Sequence, residues 1–549
     1  MQLDDATLET IRSAPRGAKT AALFDFDGTL IAGLSVVHFL REQLKQRKIS
    51  LQNARQVLAG TARLMSRKAS VPEMFEASCQ LLQGTDEAEY AAFGRDVYET
   101  RISKLIYPQA RAIIREHQAC GHTVAIISSA LSYQVQPAAQ DLGVDLVYCT
   151  ELEAVNGVLS GRVKGDVRWA EGKVAAANLL ARSRRFKLKD AFFYSDSDED
   201  VPLLEAVGRP RVLNPNKKLA KIAAERNWPV ERFSDVRKVK ATSLARSVAA
   251  DLSMLPVMLA SISVMSLTGS KRDAQNFTSA VYPVIASALS GVTLNVIGEH
   301  NLWAARPAVF VFNHQSKIDP VIVSKLLYKD FVGVGKKEIA KLPFAEKLME
   351  FGGAVLIDRA NSADAVAALK PLVNVIKDEG KSVVMAPEGT RTVSPRLAKF
   401  KKGAFHLAMQ AGVPIVPIVL HDAIDIAPKG VFVYRPGTVK VEILDPVDTR
   451  RWRAETIDRH VADVRNLFLT ALGQHEEKPS PRGKPAVKPT IKSKAVPKEK
   501  AKPNAKTKAK PTQKAKAKPA PRTKASPKAK AVPEEKAKAS TSKPAGSQG

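Results

Sequence analysis

Two short stretches of this sequence carry residue types and spacings that suit chemistry. The apolar run Ala-Ala-Leu-Phe leads into Asp25-Phe26-Asp27-Gly28-Thr29. Side chains alternate along a strand, so carboxylates two residues apart can face the same side. A pair of them at the carboxyl end of a strand suits a nucleophile beside an acid/base, and Gly28 and Thr29 suit the tight turn that follows. Far along the chain, the run Pro-Ala-Val-Phe-Val-Phe leads into Asn313-His314-Gln315-Ser316-Lys317-Ile318-Asp319-Pro320. A separation of five residues places His314 in a loop and Asp319 in the first helical turn beyond it. Asp319 can then bond one ring nitrogen and leave the other to take a proton from a hydroxyl, the base–orienter logic of a catalytic triad.

Each stretch has later companions. Ser128 ends the run Val-Ala-Ile-Ile, where its hydroxyl could hold a phosphate, and Lys173, in Glu-Gly-Lys-Val, is a candidate phosphate clamp. Asp196 and Asp200 follow the run Ala-Phe-Phe-Tyr and complete a hard-oxygen donor set of the kind Mg²⁺ requires. For the second stretch, the run Lys-Ser-Val-Val-Met-Ala ends in Pro387-Glu388-Gly389-Thr390-Arg391. Gly389 permits a tight turn, and the Arg391 fork suits phosphate. Lys336 and Arg359 would add positive charge to the same pocket, and Val-Pro-Ile-Val-Pro-Ile-Val at 413–419 reads as a buried strand with edge prolines.

The order DxDGT, Ser128, Lys173, DSxxD resembles the haloacid-dehalogenase superfamily of phosphatases, in particular its phosphoserine-phosphatase-like branch with a helical cap. That resemblance implies Asp25 as the nucleophile forming an aspartyl-phosphate and Asp27 as the acid that becomes the base. It also implies Mg²⁺ held by Asp25, the Asp27 carbonyl and Asp196, with the phosphoryl group held by Ser128 and Lys173. Ser195 stands where many relatives have Gly. The substrate implied is a small phosphomonoester, phosphoserine being one candidate.

The order NHxxxxD, KxE, EGTR, VPIVPI resembles the glycerophosphate acyltransferase family, notably the 1-acylglycerol-3-phosphate acyltransferases. It implies His314 as general base helped by Asp319, acyl-CoA as donor and lysophosphatidate as acceptor. Lys336, Arg359, Glu388, Gly389 and Arg391 would recognise the acceptor's phosphate and glycerol. Lys317 falls where many relatives carry an aromatic residue.

The elements that must position these groups follow from patterning. Residues 19 to about 236 alternate apolar runs with helical patterns, which predicts a parallel α/β sheet, with a helical cap at about 34–104. A hydrophobic segment at 237–298 contains two uncharged stretches, Leu252–Ser270 and Ala274–Gly298. Two spans, a re-entrant hairpin or buried helices between domains all fit their composition. The acyltransferase resemblance favours embedding in one leaflet, at the cytoplasmic face of the cell membrane. A second α/β domain occupies 299–476.

From Lys478 to Gly549 there are 22 Lys or Arg and 3 Glu, so +19 of the net +30 lies in the last 72 residues. With 12 prolines and no aromatic residue, this tail cannot bury enough apolar surface to offset chain entropy and is expected to be disordered. Each of its lysines favours an anionic lipid surface by about 1 kcal/mol. Nucleic acid is the rival partner, and a solubilising role the plainer reading. The rest of the chain has an ordinary charge balance; the three cysteines lack the paired spacing of a zinc site, and their low, odd count speaks against a disulfide-stapled secreted domain and for a reducing compartment. Asp4, Asp5 and Glu9 without an apolar core also speak against a signal peptide.

The reading is a bifunctional phospholipid-biosynthesis enzyme, an Mg²⁺-dependent phosphatase joined to an acyltransferase. The alternatives are a first domain that only senses a phosphorylated ligand, or a membrane–nucleic-acid tether.

Overall fold

The computed structural model describes residues 5–48, 79–234, 236–237, 240–336, 355–357 and 369–474. The tail expected to be disordered, the middle of the expected cap and Arg359 lie outside the described residues, as does the side chain of Lys336. The described part forms one compact unit built on two α/β sheets.

The first sheet has six strands in the order β3-β2-β1-β6-β7-β8. They are β1 (Ala21–Phe24), β2 (Thr123–Leu131), β3 (Leu146–Thr150), β6 (Phe192–Ser195), β7 (Arg209–Leu213) and β8 (Val230–Glu231). All pairings are parallel. The central strands are mainly apolar because helices cover both faces; every residue of β1 and β6 is buried, the polar Ser195 at the end of β6 included. A small antiparallel pair, β4 (Leu152–Val155) and β5 (Val158–Val163), lies apart from this sheet. Within the expected cap, Ser35–Lys45 and Glu87–Thr100 are helices.

The second sheet has seven strands in the order β12-β11-β13-β10-β14-β15-β9. They are β9 (Val292–Ile297), β10 (Val309–Phe312), β11 (Phe331–Lys336), β12 (Val355–Ile357), β13 (Ser382–Met385), β14 (Ile415–Leu420) and β15 (Gly437–Ile443). Only the β14–β15 pairing is antiparallel. β14 takes up the Val-Pro-Ile-Val-Pro-Ile-Val run from Ile415 onward, leaving Pro414 before the strand. Its Pro417 lies inside an interior strand rather than at an edge. It is tolerated because the partner changes there: Ile415 exchanges hydrogen bonds with Val447, and the β15 ladder starts at Ile418.

In chain order between the two sheets, helices Ala241–Leu252 and Met254–Thr268 run on into each other, and Lys271–Ser290 returns antiparallel to them. Ala241–Thr268 is long and apolar enough to cross a membrane by length and composition. The second uncharged stretch is divided. Gly291, left-handed at φ 74°, ends its helix, and Val292–Ile297 continues as β9, pairing with β15.

Candidate active sites

In the first sheet, β1 lies between β2 and β6, and Phe24 is in register with Ile126 and Tyr194. The carboxyl ends of the three strands therefore converge, and they carry Asp25, Ser128 and Asp196. The Asp25 N–H donates to the Tyr194 carbonyl at 3.0 Å, which fixes the chain as it leaves the sheet. Lys173, fully buried on helix Glu171–Arg184, places Nζ 2.7 Å from Asp25 Oδ1 and 2.7 Å from Asp200 Oδ1. Ser195 Oγ donates to Asp200 Oδ2 at 2.7 Å, so the serine found in place of glycine orients the carboxylate beside the lysine. Asp27 accepts from the Ser35 N–H at 2.7 Å and from Ser35 Oγ at 3.0 Å. Thr29 Oγ1 donates to Asp196 Oδ1 at 3.0 Å. Gly28 has φ +79°, and a Cβ there would collide with the Asp196 carboxylate. The Ser128 hydroxyl accepts from the Ala130 N–H at 3.2 Å.

Burial dominates the electrostatics. It pushes the Asp25 carboxyl up to about 6 against the attraction of Lys173, and the Asp27 carboxyl up to about 7 against the Ser35 hydrogen bonds. It raises Asp196 well above the usual carboxylate range, with Asp25 adding to the effect. Burial disfavours the Lys173 charge, but Asp200 and Asp25 outweigh it and hold the ammonium above its ordinary value.

Among the described residues no group of three or more His, Cys, Asp and Glu side chains is placed to hold a metal. The set expected for Mg²⁺ needs two carboxylates and a backbone carbonyl. The site fits such an ion chemically: its donors are hard oxygens, and carboxylates outnumber the single buried ammonium. Ser35 and Ser195 are polar partners whose roles the sequence did not reveal. Ser35 carries no motif signal, and Ser195 shows only as a departure from Gly.

In the second sheet, β10 lies between β13 and β14. Asn313, at its end, exchanges two 2.8 Å hydrogen bonds with the Leu420 backbone and locks the strand exit. His314 Nδ1 lies 2.9 Å from Asp319 Oδ2. The same oxygen accepts the N–H groups of Gln315 and Ser316 at 2.7 Å each, which fixes the loop around the carboxylate. Asp319 is fully buried at the start of helix Asp319–Leu327, whereas the His314 side chain keeps 20% of its surface exposed. A carboxylate at Nδ1 holds the proton there and leaves the Nε2 lone pair free.

The Glu388 loop closes against this one. The His314 N–H donates to Glu388 Oε1 at 2.8 Å, the Ala398 N–H to Oε2 at 3.0 Å, and the Thr392 N–H to the His314 carbonyl at 3.0 Å. Burial pushes Glu388 up to about 7 despite these donors. Its carboxylate is turned to backbone and fastens the two loops together. Gly389 adopts φ +78° beneath the Lys401 side chain. Arg391 lies near enough to Tyr434 for its charge to act on that phenol. The structure thus brings His314, Asp319, Glu388, Gly389 and Arg391 to one place.

The two centres define a chain with a phosphatase-like hydrolase lobe and an acyltransferase lobe. Residues 22–205 match the haloacid dehalogenase-like hydrolase family, and residues 293–421 match the acyltransferase family. A "probable phosphatase" of Mycobacterium tuberculosis is 31% identical over 262 residues, covering 47% of this chain and 90% of that protein. A Saccharomyces cerevisiae 1-acyl-sn-glycerol-3-phosphate acyltransferase is 30% identical over 217 residues, 39% of this chain and 71% of that one. The Limnanthes alba enzyme of the same name is 35% identical over 34% of this chain, which spans 65% of its length. The chain belongs to the haloacid dehalogenase-like hydrolases through its first lobe and to the acyltransferases through its second.

Proposed function

We propose that this chain is a bifunctional enzyme whose second lobe acylates 1-acylglycerol-3-phosphate with acyl-CoA, giving phosphatidate. Its first lobe hydrolyses a small phosphomonoester. The observation that carries the reading is the 2.9 Å pair of His314 Nδ1 and Asp319 Oδ2. Nε2 takes the proton of the acceptor hydroxyl as its oxygen attacks the thioester carbonyl. The tetrahedral intermediate then expels the CoA thiolate, which receives that proton from His314. Asp319 orients the ring and stabilises the imidazolium. Arg391, with Lys336 and Arg359, supplies the positive charge for the acceptor phosphate, and Glu388 and Gly389 shape the loop that carries Arg391.

In the first lobe an Asp25 oxygen attacks phosphorus and the substrate oxygen leaves, taking the Asp27 proton. Asp27 then removes a proton from the water that hydrolyses the aspartyl-phosphate. Ser128 and Lys173 hold the phosphoryl oxygens. Asp25, the Asp27 carbonyl and Asp196 would hold Mg²⁺, which supplies positive charge against the phosphoryl oxygens. The domains are assigned to 19–236 and 299–476. The segment 237–298 contacts the cytoplasmic face of the membrane, and the cationic tail from 477 onward favours anionic lipid.

The test is selective loss. His314→Ala should lower acyl transfer from labelled acyl-CoA to lysophosphatidate by about 10²–10⁴-fold, the usual worth of general-base help. It should leave phosphate release from a phosphomonoester panel at the parent rate. Asp25→Asn should do the reverse. Either substitution abolishing both activities in a folded protein would refute two independent sites.

A further inference from the structure

Lys317 lies within the catalytic loop, three residues after His314 and two before Asp319, and its ammonium pairs with a carboxylate outside that loop. Nζ lies 2.5 Å from Asp251 Oδ2. It also lies 4.2 Å from the Phe432 ring centroid and 4.8 Å from that of Tyr434. The Tyr434 hydroxyl donates to Asp251 Oδ1 at 2.9 Å, so one carboxylate receives both. One turn earlier on the same helix, the buried Ser247 Oγ accepts the Tyr434 N–H at 2.8 Å. The Lys317 N–H donates to the Ala427 carbonyl at 3.2 Å. The catalytic loop and the 432–434 loop are thus fastened together to two successive turns of helix Ala241–Leu252.

That helix begins the apolar rod Ala241–Thr268, whose only charges are Arg246 and Asp251. Both have partners: Arg246, though exposed, donates from Nε to the Leu289 carbonyl at 2.9 Å, and Asp251, part-buried, takes Lys317. The outward residues Leu244, Val248, Leu252, Leu255, Leu259 and Ile262 are exposed and recur every three or four positions, forming one charge-free stripe. In a lysophosphatidate acyltransferase the acceptor is itself a lipid, so a bilayer is the surface such a stripe meets. The Lys317 charge is matched by Asp251 and shielded by two rings, which leaves it unsuited to hold an acceptor phosphate.

We propose that Lys317 and Asp251 form a latch that sets the height of His314 above the lipid surface on which the Leu244–Ile262 stripe rests. Lys317 is then a positioning residue for an acceptor presented in a bilayer. The inference rests on the acyl-transfer reading above.

The experiment compares the full chain with Lys317→Ala, Asp251→Ala, Lys317→Arg and the exchanged pair Lys317→Asp with Asp251→Lys. Acyl transfer is measured against the mole fraction of lysophosphatidate in phosphatidylcholine–phosphatidylglycerol vesicles, and amide hydrogen exchange is followed across 241–252. The alanine variants should raise the apparent KM about three- to tenfold, the range for a partly exposed ion pair with ring contacts, with kcat within about twofold. Exchange across 241–252 should quicken. Lys317→Arg should keep the parent KM, and the exchanged pair should recover most of the loss. Parent KM values in both alanine variants would overturn the latch. So would a collapse of kcat at constant KM, which would make Lys317 a catalytic group. A parent protein without acyl transfer would instead overturn the reading beneath it; the latch would then stand or fall on whether Lys317→Ala changes exchange across 241–252.

Discussion

At the scale of single residues, the second site turns on a buried carboxylate between two loops. Glu388 accepts the N–H groups of His314 and Ala398, with Asp319 raising its affinity for a proton and Arg465 lowering it. Because its folded pKa of about 7 lies above the ordinary 4.5, the native state binds the proton more tightly than the unfolded chain does. Its contribution to stability is therefore complete below about pH 4.5 and lost as pH rises through about 7, amounting to roughly 3 kcal/mol. Glu388→Gln removes the titration. The variant should gain on the parent by about that amount between pH 5 and pH 8 in chemical denaturation. A stability difference that does not change with pH would refute this account. The sequence marked Glu388 through its motif but not this duty. The partnership with His314 crosses 74 residues and depends on β13 lying beside β10, which spacing alone does not reveal. Asp319 was legible because its partner is five residues away within one loop–helix turn.

At the scale of elements, strand ends and helix starts were readable because their patterns are local. An apolar run followed by Asp-x-Asp-Gly is a strand and a turn whatever surrounds it. The uncharged stretch 274–298 was less readable because its period changes within it. A helical pattern gives way after Gly291 to Val-Thr-Leu-Asn-Val-Ile, and in β9 only the first residue is fully buried while the rest alternate between half-buried and exposed. The hairpin before it packs small residues inward. Ser261 Oγ donates to the Ala274 carbonyl at 2.7 Å, and Thr278 Oγ1 to Ser261 Oγ at 2.8 Å. Its large residues point outward, Leu255 and Leu259 being 58% and 68% exposed. Substituting both by lysine should leave the fold intact and weaken flotation with neutral phosphatidylcholine vesicles at least tenfold, since burying one leucine is worth about 1.5–3 kcal/mol. Neutral lipid separates this term from the attraction of the cationic tail. Unchanged flotation would show that the stripe does not meet lipid.

At the scale of the whole molecule, two complete motif sets announced two lobes, but nothing in the sequence announced how they join. The joint is a charge cluster around the buried pair Arg111 and Asp141, with Arg115, Asp422 and Asp425 at its more exposed side. Arg111, 4% exposed on helix Pro108–Ala119, lies 3.6 Å from Asp141 in its own lobe and 3.4 Å from Asp425 in the other. Tyr98 donates to Asp141, Arg115 pairs with Asp422, and Asp141 also bonds Ser394, in the loop that follows Arg391. Arg115 and Asp425 are 310 residues apart, so no periodicity links them. Burial raises the Asp141 carboxyl, and Arg111 opposes that rise. Removing Arg111 alone therefore strands the buried Asp141 carboxylate, a change that usually costs about 3–5 kcal/mol, whereas removing a buried cation together with the carboxylates it neutralises is often neutral. Arg111→Met should accordingly split one calorimetric transition into two as the lobes separate. Adding Asp141→Asn and Asp425→Asn should bring the transitions back together. A single variant that melts like the parent, or a triple variant no better than the single one, would mean that the cluster does not hold the lobes to each other.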